Sequence, residues 1–355
     1  MFREGYLYDR ILITGGCGFI GSCLIRSLSK NNNIKILNID NLTYASNTNA
    51  TETTDESNYE LIKADISKIN EIKGIFTDFK PNAVFHLAAE THVDRSIDGP
   101  GSFINTNILG TYNLLEESFS YWKDLDTENK KIFRFIHIST DEVYGALDHK
   151  DNPFKEESNY RPNSPYSASK ASADHLARAW YKTYQLPVII TNTSNNYGPW
   201  QFPEKLIPLT INKCLKREKI PVFGNGKQIR DWIRVEDHVS GLLHILDNGK
   251  TGEKYNIGSN CEIENIEVIN SICNIFNEIM PIENFFYNEL INFVEDRPGH
   301  DFRYSIDSSK IKKLGWKPLF SWETGIKHTV EWYLDNKNYL NLNEKNYSGE
   351  RLGKL

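Results

Sequence analysis

Tyr166 and Lys170, in the run Tyr-Ser-Ala-Ser-Lys, stand four residues apart, and on a helix that spacing puts both on one face a single turn from each other. An ammonium there stabilises a phenolate. Bringing a tyrosine from about 10 towards neutrality takes about 3 pKa units, or about 4 kcal/mol, and calls for a second positive charge beside the lysine in a water-poor cleft. The pair then serves as a base near pH 7. A tyrosine four before a lysine is common by chance. What gives this one weight is Ser139-Thr140-Asp141-Glu142-Val143-Tyr144-Gly145, which follows the apolar run Phe133 to Ile138. Asp141 and Glu142 are adjacent carboxyls, and two such groups in different environments hold different protonation states, one an acid and the other a base. Removing water from a substrate needs both.

The elements that hold these groups follow from the apolar pattern. Ile11-Leu12-Ile13-Thr14 breaks into Gly15-Gly16-Cys17-Gly18-Phe19-Ile20-Gly21, after which Ile20, Leu24 and Leu28 recur at helical spacing: strand, glycine turn, helix. In that context the glycines read as a dinucleotide-binding turn. Gly15, Gly18 and Gly21 permit close backbone approach, and a pyrophosphate meets the amides at the helix N-terminus. A second run, Ile34 to Ile39, ends at Asp40, whose carboxylate accepts hydrogen bonds from both ribose hydroxyls of an adenosine and repels a 2′-phosphate. The expected cofactor is therefore NAD, whose positive nicotinamide is the second charge that Tyr166 needs. Asp65, after Leu61-Ile62-Lys63-Ala64, reads either as an adenine contact or as a helix cap ahead of Ser67. Phe19, Ile20, Asn41, Leu42, Thr43, Ile66 and Leu87 flank these positions and complete the candidate cofactor set.

Further apolar runs at Ala83 to Leu87, Phe133 to Ile138 and Pro187 to Thr191 alternate with helix-length segments such as Phe103 to Trp122 and Tyr166 to Tyr184. The alternation predicts an α/β fold, a doubly wound Rossmann-type parallel sheet with ligands at the C-terminal ends of its strands, where Asp141 and Glu142 stand. After Thr193, Gly, Pro and Asn punctuation predicts a smaller, irregular α/β lobe packed on the sheet with a cleft between them. The expected division is a cofactor domain carrying the catalytic residues over 10–193, a substrate lobe over 194–345 and a polar tail over 346–355.

The chain has 355 residues, 39% hydrophobic and 25% charged, with 7 Trp, 18 Tyr and 18 Phe, a composition that excludes a disordered or fibrous class. A net charge of −6 with no basic block argues against a nucleic-acid partner. No apolar stretch approaches the roughly 20 residues of a membrane-spanning helix and no secretory h-region opens the chain, so a cytoplasmic protein without a membrane partner is expected. Five cysteines without a closely spaced pair read as reduced thiols, not as a disulfide framework or zinc site, and no metal is expected.

Over about residues 10–330 the chain resembles the extended short-chain dehydrogenase/reductases, and among them the nucleoside-diphosphate-glucose 4,6-dehydratases of the dTDP-glucose type. The discriminating feature is Asp141 beside Glu142. Related sugar epimerases usually lack this pair, while GDP-mannose dehydratases and UDP-glucuronate decarboxylases resemble it with only the glutamate. The resemblance implies a mechanism. Tyr166, assisted by Thr140 and Lys170, takes the proton of the sugar 4-hydroxyl while hydride leaves carbon 4 for NAD. Glu142 then takes the acidified carbon-5 proton as Asp141 protonates the departing 6-hydroxyl, and hydride returns to carbon 6 as carbon 5 is reprotonated.

The same resemblance implies the substrate side. Ala88, Ala89 and Thr106 face NAD, and Thr91 contacts the sugar. Of Asn195 and Asn196, one serves the diphosphate and the other, Asn196, the nicotinamide end. Lys205 and Leu206, in Glu204-Lys205-Leu206-Ile207-Pro208, cradle the nucleotide, and Pro221 and Phe223 hold the base. Arg230, Asn265, Arg297 and His300 clamp the diphosphate, with a salt bridge to Asp231 or Asp237 as the other reading of Arg230. Arg303 joins the clamp in this pattern, and Tyr304 either joins it or is a core aromatic. His92, with no ligand partner at helical spacing, reads as a hydrogen-bonded structural histidine. Cys17, Trp200 and Ile233-Arg234 depart from the commoner pattern and leave substrate detail open; the resemblance favours dTDP-glucose as substrate, with UDP-glucose the alternative. An epimerase or decarboxylase, or a non-catalytic NAD-binding scaffold or redox sensor, are the competing readings. Leu176, Ala177, Trp180, Tyr181 and Tyr184 either cover the sheet or meet a second subunit, and the resemblance implies a homodimer through a helix bundle.

Overall fold

In a strand, alternate residues face opposite sides, and where both sides are covered the whole strand must be apolar. The first strand, β1 (Arg10–Thr14), meets that condition: Ile11 and Ile13 enter one core and Leu12 the other. The computed structural model describes residues 7–51, 57–296 and 300–343. It continues with β2 (Lys35–Asp40), β3 (Tyr59–Lys63), β4 (Ala83–His86), β5 (Arg134–Thr140) and β6 (Val188–Thr193). Next come β7 (Asn195–Tyr197), β8 (Ile220–Phe223), β9 (Ile229–Arg234), β10 (Lys254–Ile257), β11 (Glu262–Glu264) and β12 (Ile291–Val294).

Seven strands form one sheet in the order β10-β6-β5-β4-β1-β2-β3, every neighbouring pair parallel. The chain winds outwards one way through β2 and β3 and the other way from β4 onwards. The switch between β1 and β4 opens a crevice at the strands' C-terminal ends, the place where open parallel sheets bind ligands. One face is covered by the helices Phe19–Leu28 and Val235–Asn248, whose Leu24, Leu28, Val239, Leu242 and Ile245 pack on Ile11, Ile13, Phe85 and Ile136. The other is covered by Leu114 and Leu115 of Thr111–Lys123 and Ala177 and Trp180 of Pro165–Tyr184.

The helix expected over Phe103 to Trp122 is broken by a wide π turn, Ile104–Gly110, between the short helix Pro100–Phe103 and Thr111–Lys123. Asn107 of this turn donates to the Glu90 carbonyl (3.0 Å) and Ser169 Oγ (2.8 Å) and accepts from the Glu90 amide (2.8 Å), so the turn is stitched to the loop after β4 and to the neighbouring helix. Periodicity does not reveal such an insertion. The helix expected over Tyr166 to Tyr184 runs Pro165–Tyr184, started by a capping box between Ser164 and Ser167 with Pro165 in its first turn.

The second body is built around Ile207, Ile211, Val222, Val268, Ile272, Phe276, Val330 and Tyr333. Two small sheets edge it, β11-β9-β7 and β12-β8. The expected division at residue 193 follows the chain only once. Val235–Asn248 returns to the large sheet's face and β10 pairs with β6, so part of the second segment completes the first body. Strand β10, Lys-Tyr-Asn-Ile, is too short and polar to stand out as an apolar run. The expected tail 346–355 lies outside the described residues. No helix among those described is long and apolar enough to cross a membrane.

Candidate active site

The crevice begins where β1 ends. Gly15 turns at φ 73°, a left-handed conformation that favours glycine, and a Cβ there would lie 2.6 Å from the Ala88 amide nitrogen. A Cβ at Gly21 would lie 2.3 Å from the Gly15 carbonyl oxygen, so the turn and helix close on each other only as glycines. The helix Phe19–Leu28 starts at Gly18 with no side-chain cap, leaving its first amides to face the cavity. At the end of β2, Asp40 is held by three donors: the Cys17 amide (2.9 Å) on Oδ2, and the Leu42 amide (2.8 Å) and Ser46 Oγ (2.9 Å) on Oδ1.

These groups line a cleft of about 340 Å³. Gly15, Gly18, Phe19, Ile20, Gly21, Asp40, Asn41, Thr43, Asp65, Ile66, Leu87, Ala88, Ala89, Thr106 and Asn196 all reach it, as do Thr140, Tyr166 and Lys170. Leu42 does not line it; its contribution is the amide that orients Asp40. Asp65 lines the cleft and accepts from Ser67 N (2.9 Å) and Oγ (2.7 Å) within a turn; it caps no helix, since the next one, Ile69–Ile72, has Lys68 at its N-cap and no side-chain cap.

The chemistry-bearing groups gather at the end of β5. Thr140 Oγ1 donates to Asp141 Oδ1 (3.3 Å) and accepts the Glu142 amide (3.3 Å), and Tyr166 is hydrogen-bonded to the same threonine. Lys170 Nζ donates to the Ile138 carbonyl at 2.7 Å. Burial pulls the lysine down to about 8. Burial and the neighbouring Glu142 push the Tyr166 phenol up, not down. The chain by itself therefore does not lower this phenol: the expected effect of Lys170 is outweighed by burial and three carboxyls, those of Glu142, Asp141 and Asp174.

Asp141 is 3% exposed and lies far above the usual carboxylate range, first through burial and then through Glu142 and Asp231. Its Oδ2 has no hydrogen-bond partner among the described residues. Glu142, half-buried, borders both this cleft and a second one of about 220 Å³. The pair is thus one buried carboxyl driven above the usual range beside a second, half-buried one that lines both clefts.

Thr91, Asn195, Lys205, Leu206, Pro221, Phe223, Arg230, Asn265 and His300 line the second cleft, and Arg297 lies outside the described residues. The buried Asn195 Oδ1 has no partner among the described residues. Arg230 stacks 4.3 Å over the Tyr304 ring and donates to the carbonyls of Ile229 (2.8 Å) and Asp301 (3.0 Å). Asp231 and Asp237 accept instead from backbone amides, of Cys261 and of Leu319 and Phe320. Tyr304 borders this cleft, whereas Arg303 is taken up by Glu262 and the carbonyls of Asp148 and Asp151. His92 caps the helix Val93–Asp98.

Several lining groups escape the sequence reading. Ser139 and Ser194 stand beside positions already singled out, so adjacency is a usable signal. His238, which lines neither cleft, gives no such signal: burial pulls it down to about 3, and Nδ1 meets Asn196 Oδ1 at 2.9 Å from a helix 42 residues away.

Residues 12–329 match the model of the GDP-mannose 4,6 dehydratase family. A dTDP-glucose 4,6-dehydratase of Escherichia coli is 52% identical to this chain, over 97% of it and 99% of the relative. One from Salmonella typhimurium is 54% identical, over 94% of both. The crystal structure of a dTDP-glucose 4,6-dehydratase from Bacillus anthracis in complex with NAD is similar at a TM-score of 0.82 and 40% identity, covering 94% of this chain and 99% of that one.

The buried acid has a measurable cost. With its folded pKa raised, Asp141 keeps its proton where the unfolded chain has lost it, so it subtracts stability as pH climbs above the ordinary carboxyl range. Asp141→Asn is expected to raise the urea midpoint at about pH 7.5, with the gain shrinking towards about pH 3.5. Equal midpoints at both pH values would contradict a neutral buried acid.

Proposed function

This chain belongs to the GDP-mannose 4,6 dehydratase family, and from that membership we propose that it acts as a dTDP-glucose 4,6-dehydratase, with NAD as a resident, recycled cofactor. The observation that carries the reading is the buried, unpartnered oxygen of Asp141 beside Glu142, both on the wall of the cleft that holds Tyr166 and Lys170. An epimerase moves a hydride but eliminates nothing, and has no use for a neutral carboxyl held at this desolvation cost.

The chain fits NAD. Asp40, already oriented by three donors, faces an adenosine ribose, and the uncapped helix start at Gly18 suits a pyrophosphate. When bound, NAD supplies a hydride acceptor that is regenerated within each turnover. Tyr166, hydrogen-bonded with Thr140, is the base for the sugar 4-hydroxyl, and the fixed ammonium of Lys170 favours the phenolate once the site is filled. Glu142 takes the proton from carbon 5, beside the new ketone. Asp141 gives its proton to the departing 6-hydroxyl, and water leaves. Arg230 and Asn265 hold the diphosphate, while Pro221 and Phe223 flank the base. A thymine methyl meets an apolar wall there, an advantage of only about 1–3 kcal/mol over uracil.

A homodimer is part of the proposal. Ile104, Leu109, Tyr112 and Tyr184 are 50%, 43%, 41% and 43% exposed on the helices beside Trp180, an apolar patch at a place suited to a helix bundle. Light scattering is expected to give twice the chain mass, and Tyr112→Glu to halve it without loss of helix signal. A monomeric unsubstituted protein would contradict the pairing.

The reaction is tested by incubating the protein with dTDP-glucose and, separately, UDP-glucose, without added reductant. Loss of one water from dTDP-glucose is expected by mass spectrometry, with UDP-glucose slower. Combining Asp141→Asn with Glu142→Gln should cut the rate by about 10²-fold or more while NAD stays bound. Undiminished turnover in that variant sinks the assignment, and faster loss from UDP-glucose transfers it to the UDP sugar.

A further inference from the structure

Glu204 is 8% exposed and borders both clefts, yet none of the steps above uses it. Its carboxylate meets groups from one other loop and from the short helix Val93–Asp98 with its cap. Arg95 Nε donates to Oε2 at 3.2 Å, the Tyr44 hydroxyl donates to Oε1 at 3.5 Å, and His92 Nε2 lies 3.8 Å from Oε1. The Arg95 guanidinium also sits 4.0 Å over the Tyr44 ring, which packs edge-on against Phe202 at 5.5 Å. Burial and Glu204 push the Tyr44 hydroxyl up, so it remains a donor.

The three segments are those that wall the clefts. Tyr44 follows Asp40 and Thr43, Arg95 follows Ala89 and Thr91, and Glu204 lies between Phe202 and Lys205. The far side of the third segment is anchored separately: Tyr333 Oη donates to the Gln201 carbonyl (2.8 Å) and Tyr339 Oη to that of Trp200 (2.9 Å). With that side held, the contacts of Glu204 tie its near side across the seam between the two clefts.

We propose that Glu204 is a positioning residue, a clasp between the loop that holds the adenosine ribose and the segment that cradles the nucleotide sugar, and that it slows escape of the dinucleotide during turnover. This rests on the dehydratase reading. A hydride taken from carbon 4 must wait on the cofactor until carbon 6 can accept it, and a cofactor lost in that interval leaves a ketone that cannot proceed. A buried carboxylate joined to a guanidinium across segments closes such a gap through charge-assisted hydrogen bonds.

The test uses NAD-loaded protein, freed of excess NAD by desalting, with release of bound NAD followed over time. Glu204→Ala should lose NAD about tenfold faster or more than the unsubstituted protein, as removal of a charge-assisted hydrogen bond implies. Its progress curve on dTDP-glucose should fall off early and recover with added NAD, a rescue that a merely structural defect does not give. Arg95→Gln, with a side chain 30% exposed, should shift release in the same direction and serves if Glu204→Ala fails to fold. Unchanged NAD retention in the folded variants overturns the clasp while leaving the dehydratase reading intact. An unsubstituted protein that neither retains NAD nor dehydrates dTDP-glucose overturns both.

Discussion

A carboxyl whose pKa is to be raised must be taken out of water, and the structure around Asp141 does that, leaving it 3% exposed. The strand end of β5 delivers the residue into the crevice, Thr140 satisfies one of its oxygens, and the other is left without a partner among the described residues. Glu142 and Asp231 add negative charge to the same neighbourhood. The seven-stranded sheet is the rigid support that makes this arrangement affordable, because the desolvation of one acid is spread against the apolar burial of two helical layers.

The same desolvation works against the base. Tyr166 and Lys170 are 7% and 5% exposed, and burial favours the neutral form of each, raising the phenol and lowering the ammonium. Burial by itself favours the protonated phenol, and a positively charged ring bound in the cleft would oppose it. The orphaned oxygens of Asp141 and Asn195 tell the same story from the substrate side: polar atoms without partners in the described residues, on walls where a ligand supplies them.

Much of this was legible in the residues because it rests on local rules. Glycines that let backbone pass backbone, a carboxylate at the end of a strand, a capped helix carrying Tyr166 and Lys170, and two acids after an apolar run are each written in a few consecutive letters. What was not legible depends on residues far apart in sequence. Strand β10 is a strand because β6 offers it an edge, not because Lys-Tyr-Asn-Ile prefers one. The π turn at Ile104–Gly110 exists because Asn107 finds Glu90 and Ser169, and the direction of the Tyr166 shift depends on how deeply the helix is buried. Glu204 lies inside a motif that the residues single out, but its partners Tyr44 and Arg95 come from a loop and a short helix that only the folded chain brings together.

In this mechanism one hydrogen travels within a single substrate molecule while water leaves. A direct test uses dTDP-glucose with deuterium on carbon 4 and carbon-13 throughout the same glucose, mixed with unlabelled dTDP-glucose, so that the carbon-13 identifies which product molecules came from the deuterated substrate. The account predicts deuterium on carbon 6 of the product derived from the labelled molecules, with no crossover to the others, because the hydride waits on a retained cofactor. Deuterium that remains on carbon 4, or is scattered among product molecules or lost to solvent, would contradict it.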